Sequence, residues 1–322
     1  MTSTLDLPTA PTPVAAPPWY PLSTFAIGFG LAGLAGVWTR AGSALSLPRA
    51  VPQAFWAVAA VAWLWLLIAH AVRGARSGQS LAAQLRHPAQ GPLASLAPVT
   101  AILLAADLFT WSPTAGRLLY FLALAASTLL AAWLLGSWLR GGLDVAFLHP
   151  GYLLPTVAPG LIGADVGHAL GYPGLAWALF GVGSFFTVVM TAVVLARLMF
   201  LKALPDALLP STMILLAPPA VGGLAWFSLN GHTADPVAHA LAGLGVLVLL
   251  VQAAMLPRYR ELRFSLGFWS FTFPLAAAVG LAVEWLHVVE PTGWRPLSGV
   301  LVAAFTAFIA VIAFRSLRSA AL

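Results

Sequence analysis

The chain has 322 residues, of which 61% are hydrophobic and only 7% are charged, with a net charge of +6 and no cysteine. A soluble domain carries about 25% charged side chains, so this composition excludes a water-soluble globular protein. The lack of cysteine excludes disulfides and cysteine-based metal sites. The basic residues lie singly or in small groups at the ends of apolar runs, so the positive charge does not indicate nucleic-acid binding.

Apolar runs separated by short polar breaks extend along almost the whole chain after a polar start. Residues 1–20 are rich in Pro, Thr and Ala and lack the features of a signal peptide, so we predict a disordered tail. An α-helix of about 20 residues crosses the hydrocarbon core, so residues 21–318 are predicted to form one all-α membrane domain. The ten predicted spans are 21–39, 53–72, 92–109, 116–138, 150–168, 173–200, 206–229, 236–256, 264–286 and 295–316.

The distribution of Lys and Arg predicts the orientation of these spans. With the N-terminus in the cytoplasm, eleven basic residues fall inside and four outside, so the positive-inside rule places both termini in the cytoplasm. The inside set is Arg73, Arg76, Arg86, Arg140, Arg197, Lys202, Arg258, Arg260, Arg263, Arg315 and Arg318. The outside set is Arg40, Arg49, Arg117 and Arg295.

Prolines deep within a span occur only in odd-numbered spans. They are Pro98, Pro155, Pro159, Pro218, Pro219 and Pro274. A proline within a helix frees backbone carbonyls, which in a bilayer must face protein or a water-filled cavity. The pattern therefore predicts five hairpins around a central pore, with odd-numbered helices inside and even-numbered helices outside. The alternative is that proline is simply frequent in membrane helices.

The glycines of GFGLAGLAG (Gly28–Gly36) lie within the first span, where they favour close helix packing. They do not form a nucleotide-binding loop, because they do not follow a strand. The seven histidines lack the spacing of a metal site, and the chain shows no GxSxG elbow. We therefore predict no enzymatic activity, no metal and no cofactor. A membrane-embedded enzyme or a multidrug-resistance component is the alternative from another class.

Polar groups within the spans are mainly hydroxyls. Asp107, Asp165, Glu284, His168 and His287 are placed near the outer ends of odd-numbered spans, where we expect structural or vestibule roles. No Arg or Lys is placed deep in an odd-numbered span.

The hydroxyls on odd-numbered spans are Ser95, Thr100, Thr156, Ser211, Thr212, Ser265, Ser270 and Thr272. Together with carbonyls released at prolines, they are expected to offer weak, multiple contacts to a passing ion. A pore without fixed carboxylates favours anions. Arg86, His87 and Arg263 lie at the predicted cytoplasmic entrance, where they are expected to raise the local anion concentration, unless they serve only as orientation signals and headgroup contacts.

Three segments resemble the tellurite-resistance/dicarboxylate transporter family, which includes bacterial TehA, plant guard-cell slow anion channels, and fungal malate and sulfite transporters. They are RFSLGFWSFTFPLAAAVGLAVEW (Arg263–Trp285), LRHPAQGPLASLAP (Leu85–Pro98) and HPGYLLPTVAPGLIGA (His149–Ala164). The resemblance implies a homotrimer in the bacterial cytoplasmic (inner) membrane, each protomer having a pore formed by five inner helices. It also implies a gate formed by a phenylalanine of the ninth helix.

The phenylalanine that precedes the proline in this motif is Phe273, and Phe271 is the second candidate for the gate. Two positions along a helix turn by about 200°, so only one of these rings can point at the axis. Pro98, Pro155, Pro159, Pro218, Pro219, Pro274, Thr156 and Thr272 are the predicted pore-lining or helix-kink residues. The predicted function is passage of small inorganic anions such as chloride or nitrate. The alternative is a carrier of tellurite-related oxyanions, sulfite or C4-dicarboxylates.

Overall fold

The computed structural model describes residues 21–76 and 80–320, and the predicted tail at residues 1–20 lies outside them. The described residues form helices joined by turns, with no strand. The α-helices are α1 Phe25–Leu45, α2 Ala50–Arg76, α3 Leu81–Leu85, α4 Leu96–Trp111, α5 Pro113–Leu139, α6 Val157–Ala169, α7 Pro173–Phe200, α8 Ala217–Leu229, α9 Pro236–Ala254, α10 Leu256–Arg260, α11 Thr272–Val289 and α12 Trp294–Ala320. Shorter 3₁₀ segments are Leu22–Thr24, Gly91–Ser95, Val145–Phe147, Pro150–Leu153, Leu209–Leu216 and Leu266–Phe271.

Nine helical segments of the described chain are long and apolar enough to cross a membrane. They are Leu22–Leu45, Ala50–Arg76, Gly91–Trp111, Pro113–Leu139, Pro173–Phe200, Leu209–Leu229, Pro236–Ala254, Leu266–Val289 and Trp294–Ser319. Each coincides with one of the predicted spans. The remaining predicted span, 150–168, is divided: the 3₁₀ segment Pro150–Leu153 is followed by a break, and α6 has only 13 residues.

Four odd-numbered spans share one local design. A 3₁₀ segment precedes the α-helix, and proline is the third residue of that helix, at Pro98, Pro159, Pro219 and Pro274. An N–H in the first turn has no acceptor within the α-helix, so proline costs little there. The sequence predicted kinks at these prolines, whereas the structure has a change of helix type.

Burial differs strongly between the two sets of spans. In the spans that contain α1, α4, α8 and α11, between 56% and 78% of the residues in an apolar stretch of 18 are buried. In those formed by α2, α5, α7, α9 and α12, the share is 11% to 28%. The second set therefore presents most of its apolar surface outward, as helices do when lipid surrounds them.

The buried helices contact one another in a closed order: α1 packs on α4, α4 on α6, α6 on α8, α8 on α11, and α11 on α1. Each also packs on the next long helix along the chain, which is α2, α5, α7, α9 or α12 respectively. We call the end at which α1, α4, α6, α8 and α11 begin the proximal end, and the end at which they finish the distal end.

Glycines of α1 allow its close approach to α11. A Cβ added at Gly33 would lie 2.9 Å from the Ala276 Cβ and 3.0 Å from Phe273 Cδ2, and one at Gly30 would meet the Thr272 side chain. A side chain at either position would therefore force the helices apart. The expectation of close helix packing is confirmed for Gly30 and Gly33, but not for Gly36, where an added Cβ would meet nothing within 4 Å.

Candidate functional site

The site is centred on a pair of stacked phenylalanines. Phe273 is the second residue of α11, and its ring lies face to face with that of Phe29 on α1. The ring centroids are 3.6 Å apart and the ring planes differ by 19°. Both side chains are buried, with 4% of Phe29 and 8% of Phe273 exposed. Because Gly30 and Gly33 bring the two helices together, the rings meet at full contact distance.

Small cavities lie on several sides of this pair, and Phe273 borders three of them. A cavity of about 40 Å³ lies toward the proximal end, against Ser23, Leu93 and Ser270. A cavity of about 30 Å³ is enclosed by apolar side chains of α6, α8 and the segments before them. A cavity of about 70 Å³ lies toward the distal end. The aromatic pair therefore interrupts a row of cavities inside the ring of buried helices.

A larger cavity opens at the distal end, and we call it the vestibule. Its volume is about 640 Å³, and residues near the ends of α1, α4, α6, α8 and α11 line it. Its charged and titratable residues are Arg40, Asp165, His232, Glu284 and His287. Arg40 and Asp165 also border the 70 Å³ cavity next to Phe273. The vestibule therefore leads directly to the distal side of the aromatic pair.

Charged groups from four segments meet in the vestibule. Arg40 Nη2 donates to Asp165 Oδ2 at 2.6 Å, and Arg40 Nη1 lies 3.7 Å from Glu284 Oε2. The Nδ1 atom of His232 lies 2.6 Å from Glu284 Oε1. His232 follows Gly231 in a left-handed conformation with φ of 59°, which is unfavourable for a side chain with a Cβ. The loop between α8 and α9 is thus held so that His232 reaches Glu284 on α11.

Arg40 is the functional candidate that sequence reasoning missed. The first span was predicted to end at residue 39, which placed Arg40 in an outside loop, but α1 continues to Leu45. Its side chain is about one quarter exposed and lies between two buried helices. Arg40 therefore belongs to the first helix and not to a loop, although it lies in the last two turns of α1 and not deep in the span. A hydrophilic Thr-Arg pair within a long apolar run was the signal that could have found it.

Phe271 lies away from the aromatic pair. Its ring packs edge-on against Tyr259, with centroids 5.0 Å apart, and against Phe268 at 5.5 Å. Phe271 ends a 3₁₀ segment and Phe273 lies in the first turn of α11, so the two side chains leave the chain in different directions. The structure thus places Phe273, and not Phe271, in the row of cavities.

Few of the predicted pore-lining residues border these cavities. Pro218 and Pro274 do so, whereas Thr272 packs against Gly30. The hydroxyls of Thr100, Ser211, Thr212 and Thr272 donate to backbone carbonyls of the preceding turn at 2.6 to 2.7 Å. They are therefore engaged locally, because a hydroxyl in a helix readily bonds the carbonyl three or four residues earlier. Thr156 and Ser95 are buried with no hydrogen-bond partner for the hydroxyl among the described residues.

The predicted entrance residues lie at the proximal end. The Arg86 guanidinium lies 5.9 Å from the Trp133 ring centroid, and Arg263 is exposed. His87 has a local structural role, because its Nδ1 accepts hydrogen bonds from the backbone N–H groups of Ala89 and Gln90. The structure does not bring these three side chains into contact with the aromatic pair.

His149 joins two segments at the same end. Its Nε2 donates to the Ala89 carbonyl at 3.1 Å, and its Nδ1 accepts from Gly151 N–H at 3.1 Å. The ring is fully buried, and burial lowers the pKa of His149 to about 4. One donor and one acceptor suit a neutral imidazole. His149 therefore holds the loop before the 3₁₀ segment Gly91–Ser95 against the 3₁₀ segment Pro150–Leu153.

The sequence is similar to those of named anion channels and of a tellurite resistance protein. A family model described as "SLAC1: Voltage-dependent anion channel" matches residues 20–317. The chain is 27% identical to the tellurite resistance protein TehA homolog of Haemophilus influenzae over 290 residues, which is 89% of this chain and 86% of that protein. It is 24% identical to the guard cell S-type anion channel SLAC1 of Arabidopsis thaliana, over 49% of this chain and 28% of the plant protein.

A second Arabidopsis relative, the S-type anion channel SLAH3, is 25% identical over 47% of this chain and 24% of that protein. The plant matches thus cover about half of this chain, whereas the family model covers nearly all of it. Because the family model matches residues 20–317, this chain belongs to the SLAC1 family.

Proposed function

We propose that this protein conducts small inorganic anions, such as chloride and nitrate, through a pore that Phe273 closes. The observation that carries the proposal is the row of cavities on both sides of the Phe29 and Phe273 rings. The ring of Phe273 separates the distal cavity from the proximal one. Removal of this side chain would join them.

The proposed pore lies within α1, α4, α6, α8 and α11 as inner helices, with α2, α5, α7, α9 and α12 outside. The closed order of contacts and the unequal burial of the two sets support this arrangement. In it the divided segment from Pro150 to Ala169 is the tenth membrane span. Its short length is acceptable because neighbouring protein, rather than lipid, surrounds its broken part.

Two features support anions as the permeant ions. The 30 Å³ and 40 Å³ cavities beside Phe273 are lined by no carboxylate, and the distal one pairs Asp165 with Arg40, so that it carries no net charge from these two groups. The relatives named as anion channels point the same way. With no fitted binding site, selectivity would follow the cost of removing water, which favours nitrate over chloride.

The proposed setting is the inner membrane of a bacterium, with both termini in the cytoplasm and three copies forming a homotrimer. The excess of Lys and Arg at the proximal end supports this orientation. In this orientation the vestibule faces the outside. The bilayer is then the partner of the outer helices, whose large apolar side chains are exposed, among them Val61, Trp65, Phe185 and Leu250.

A carrier of oxyanions is the second candidate, and Arg40 favours it. A guanidinium binds planar or tetrahedral oxyanions through two parallel hydrogen bonds, and Arg40 lies where the vestibule narrows toward Phe273. The relative named for tellurite resistance supports the same candidate. In that case Asp165 would have to release Arg40 when the oxyanion arrives.

The test is anion flux into liposomes that contain the purified protein and a halide-quenched dye, in which quenching reports chloride entry and recovery of fluorescence reports exchange of internal chloride for nitrate. We expect low chloride and nitrate flux for the native chain and a large increase for Phe273→Ala. Phe273→Leu keeps more of the packing and is expected to give a smaller increase. Phe271→Ala is the matched control, because it removes an equally buried ring outside the row of cavities.

A folded Phe273→Ala protein that conducts no more than the native chain would contradict the gate. If flux instead requires an anion on both sides and saturates at low concentration, the carrier is the better description. Equal increases for Phe271→Ala and Phe273→Ala would mean that general loosening, and not removal of a plug, raises the flux.

A further inference from the structure

A second large cavity opens on the outside of the helical bundle, and we call it the side groove. Its volume is about 570 Å³. Residues of α9 and α10 form one wall, α12 forms the other, and Phe268, Phe271 and Leu275 lie at its base. The groove shares no lining residue with the vestibule or with the three cavities beside Phe273.

The polar side chains in the wall of the side groove are already hydrogen-bonded to one another. Tyr259 O–H donates to Gln252 Oε1 at 2.5 Å, and its oxygen lies 2.6 Å from Thr212 Oγ1. Gln252 Nε2 donates to the Thr212 carbonyl at 3.1 Å. These three buried groups satisfy each other, so they offer little to an occupant. What remains is an apolar surface, with Met213, Leu249, Leu256, Leu275 and Phe308 among its residues.

Two arginines at the proximal end of the groove are the exception. Arg260 and Arg315 both line it and are exposed. Within the described residues, neither lies within 4.0 Å of a carboxylate, whereas neighbouring Arg258 pairs with Asp206 at 2.8 Å and with Glu261 at 2.7 Å. The Arg315 guanidinium rests over the Phe264 ring, 4.7 Å from its centroid. Two cations without acidic partners therefore face one end of an apolar groove.

The arginines and the apolar side chains of the groove lie at different depths along the proposed membrane normal. Along α12 the groove runs from Arg315 to Phe308, about 10 Å at 1.5 Å per residue, and Leu249 of α9 lies correspondingly deeper than Arg260. Cationic groups at the helix ends and apolar groups toward the centre match the layers of a bilayer leaflet. We propose that the side groove binds one anionic phospholipid, with its phosphate at Arg260 and Arg315 and an acyl chain along Met213, Leu249 and Phe308.

The test uses delipidated protein in detergent, titrated with phosphatidylglycerol or phosphatidylcholine and observed by native mass spectrometry. We expect phosphatidylglycerol to bind about tenfold more tightly than phosphatidylcholine, since each basic residue near the surface favours an anionic lipid. The double variant Arg260→Gln/Arg315→Gln is expected to lose this preference. Arg263→Gln/Arg318→Gln removes the same charge from the same end outside the groove and is expected to retain it.

Leu249→Trp tests the apolar part of the side groove, because the indole ring is larger than the leucine side chain and would occupy the space assigned to the acyl chain. This variant is expected to weaken both lipids, and inorganic phosphate is expected not to displace phosphatidylglycerol. The proposal is overturned if the Arg260 and Arg315 variant keeps the lipid preference, or if free phosphate competes fully. It is also overturned if Leu249→Trp dissociates an oligomer while lipid binding is unchanged, because a second copy of the chain would then occupy the groove.

Discussion

The ring of Phe273 stacks on that of Phe29 with the two centroids 3.6 Å apart, so the proposed gate is a pair of side chains rather than one. The two rings are not equivalent. Phe273 borders all three small cavities, of about 30, 40 and 70 Å³, whereas Phe29 borders only those of about 30 and 40 Å³. Loss of Phe29 would therefore widen one side of the barrier and leave the other side in place.

Phe29→Ala is accordingly expected to raise anion flux several-fold, but less than Phe273→Ala does. The measurement is the same dye-quenching flux assay in liposomes. Phe25→Ala is the control, because Phe25 is as buried as Phe29, lies one turn earlier on α1, and stacks on His70 instead. A greater flux for Phe29→Ala than for Phe273→Ala would show that Phe29 is the principal barrier.

Arg40→Gln is expected to reduce the preference for anions over cations several-fold. The charges of Arg40, Asp165 and Glu284 sum to one negative charge, and removal of the guanidinium leaves two carboxylates without their cation. Fields of this kind act on ions in narrow clefts. The measurement is the reversal potential across a planar bilayer with a potassium chloride gradient, in the Phe273→Ala background.

Two further variants separate charge from geometry at this position. Arg40→Lys keeps the charge and is expected to restore most of the selectivity, while Arg295→Gln removes an exposed charge outside the vestibule and is expected to change little. An unchanged reversal potential in Arg40→Gln would mean that Arg40 only holds α1 against α6.

Gly33→Ala is expected to destabilise the protein by about 1–3 kcal/mol, as overpacking of a close contact does. The added methyl group would meet Ala276 at 2.9 Å and Phe273 at 3.0 Å. Thermal unfolding in detergent checks this, with Gly36→Ala as control. A Cβ at Gly36, nearly one turn later on α1, meets nothing within 4 Å, so that variant is expected to be neutral or to stabilise by up to about 1 kcal/mol. Equal unfolding temperatures for the two variants would contradict the tight contact.

Stability is expected to fall as the pH is lowered from about 6.5 toward 4, with His149 as a cause. Burial lowers the pKa of His149 to about 4, so between these values the unfolded chain binds a proton that the folded chain does not. Above the ordinary histidine pKa the contribution is complete, and it is lost as the pH decreases. The measurement is the unfolding temperature at pH 7.5 and pH 5.0. His149→Gln is expected to show a smaller difference, and an unchanged difference would assign the effect to other groups.

Much of the fold followed from the sequence because long apolar runs leave few alternatives. Nine predicted spans coincide with helices that the structure describes. The tenth did not appear as one helix, because a turn at residues 154–156, which includes Pro155, separates the 3₁₀ segment from α6. Deep prolines occur in three of the four more buried spans, whereas the first span, which is 67% buried, carries glycines instead. The prolines did not reveal that 3₁₀ segments precede α4, α6, α8 and α11, which depends on packing beyond the local sequence.

Much less of the site could be predicted. Phe273 was named from its motif, but its partner Phe29 is 244 positions away, and a single sequence holds no record of such contacts. Arg40 was missed because the span boundary was set six residues too early. The sequence predicts weak contacts from the hydroxyls to a passing ion, but it does not show that hydrogen bonds to the preceding turn engage Thr100, Ser211, Thr212 and Thr272. Side-chain partners of this kind become visible only when coordinates are known.

The 3₁₀ segments also change how far a given number of residues reaches. A 3₁₀-helix rises about 2.0 Å per residue and an α-helix about 1.5 Å. Leu209–Leu229 has 21 residues, and eight of them are in the 3₁₀ form. This span therefore extends about 36 Å, whereas 21 residues of continuous α-helix would extend about 32 Å. The more buried spans, of 21 to 24 residues, can therefore match the thickness crossed by the less buried helices, which have up to 28 residues. A substitution that converts the 3₁₀ part to α-helix would thus shorten the span by about 4 Å, and it would draw the aromatic pair toward one membrane face.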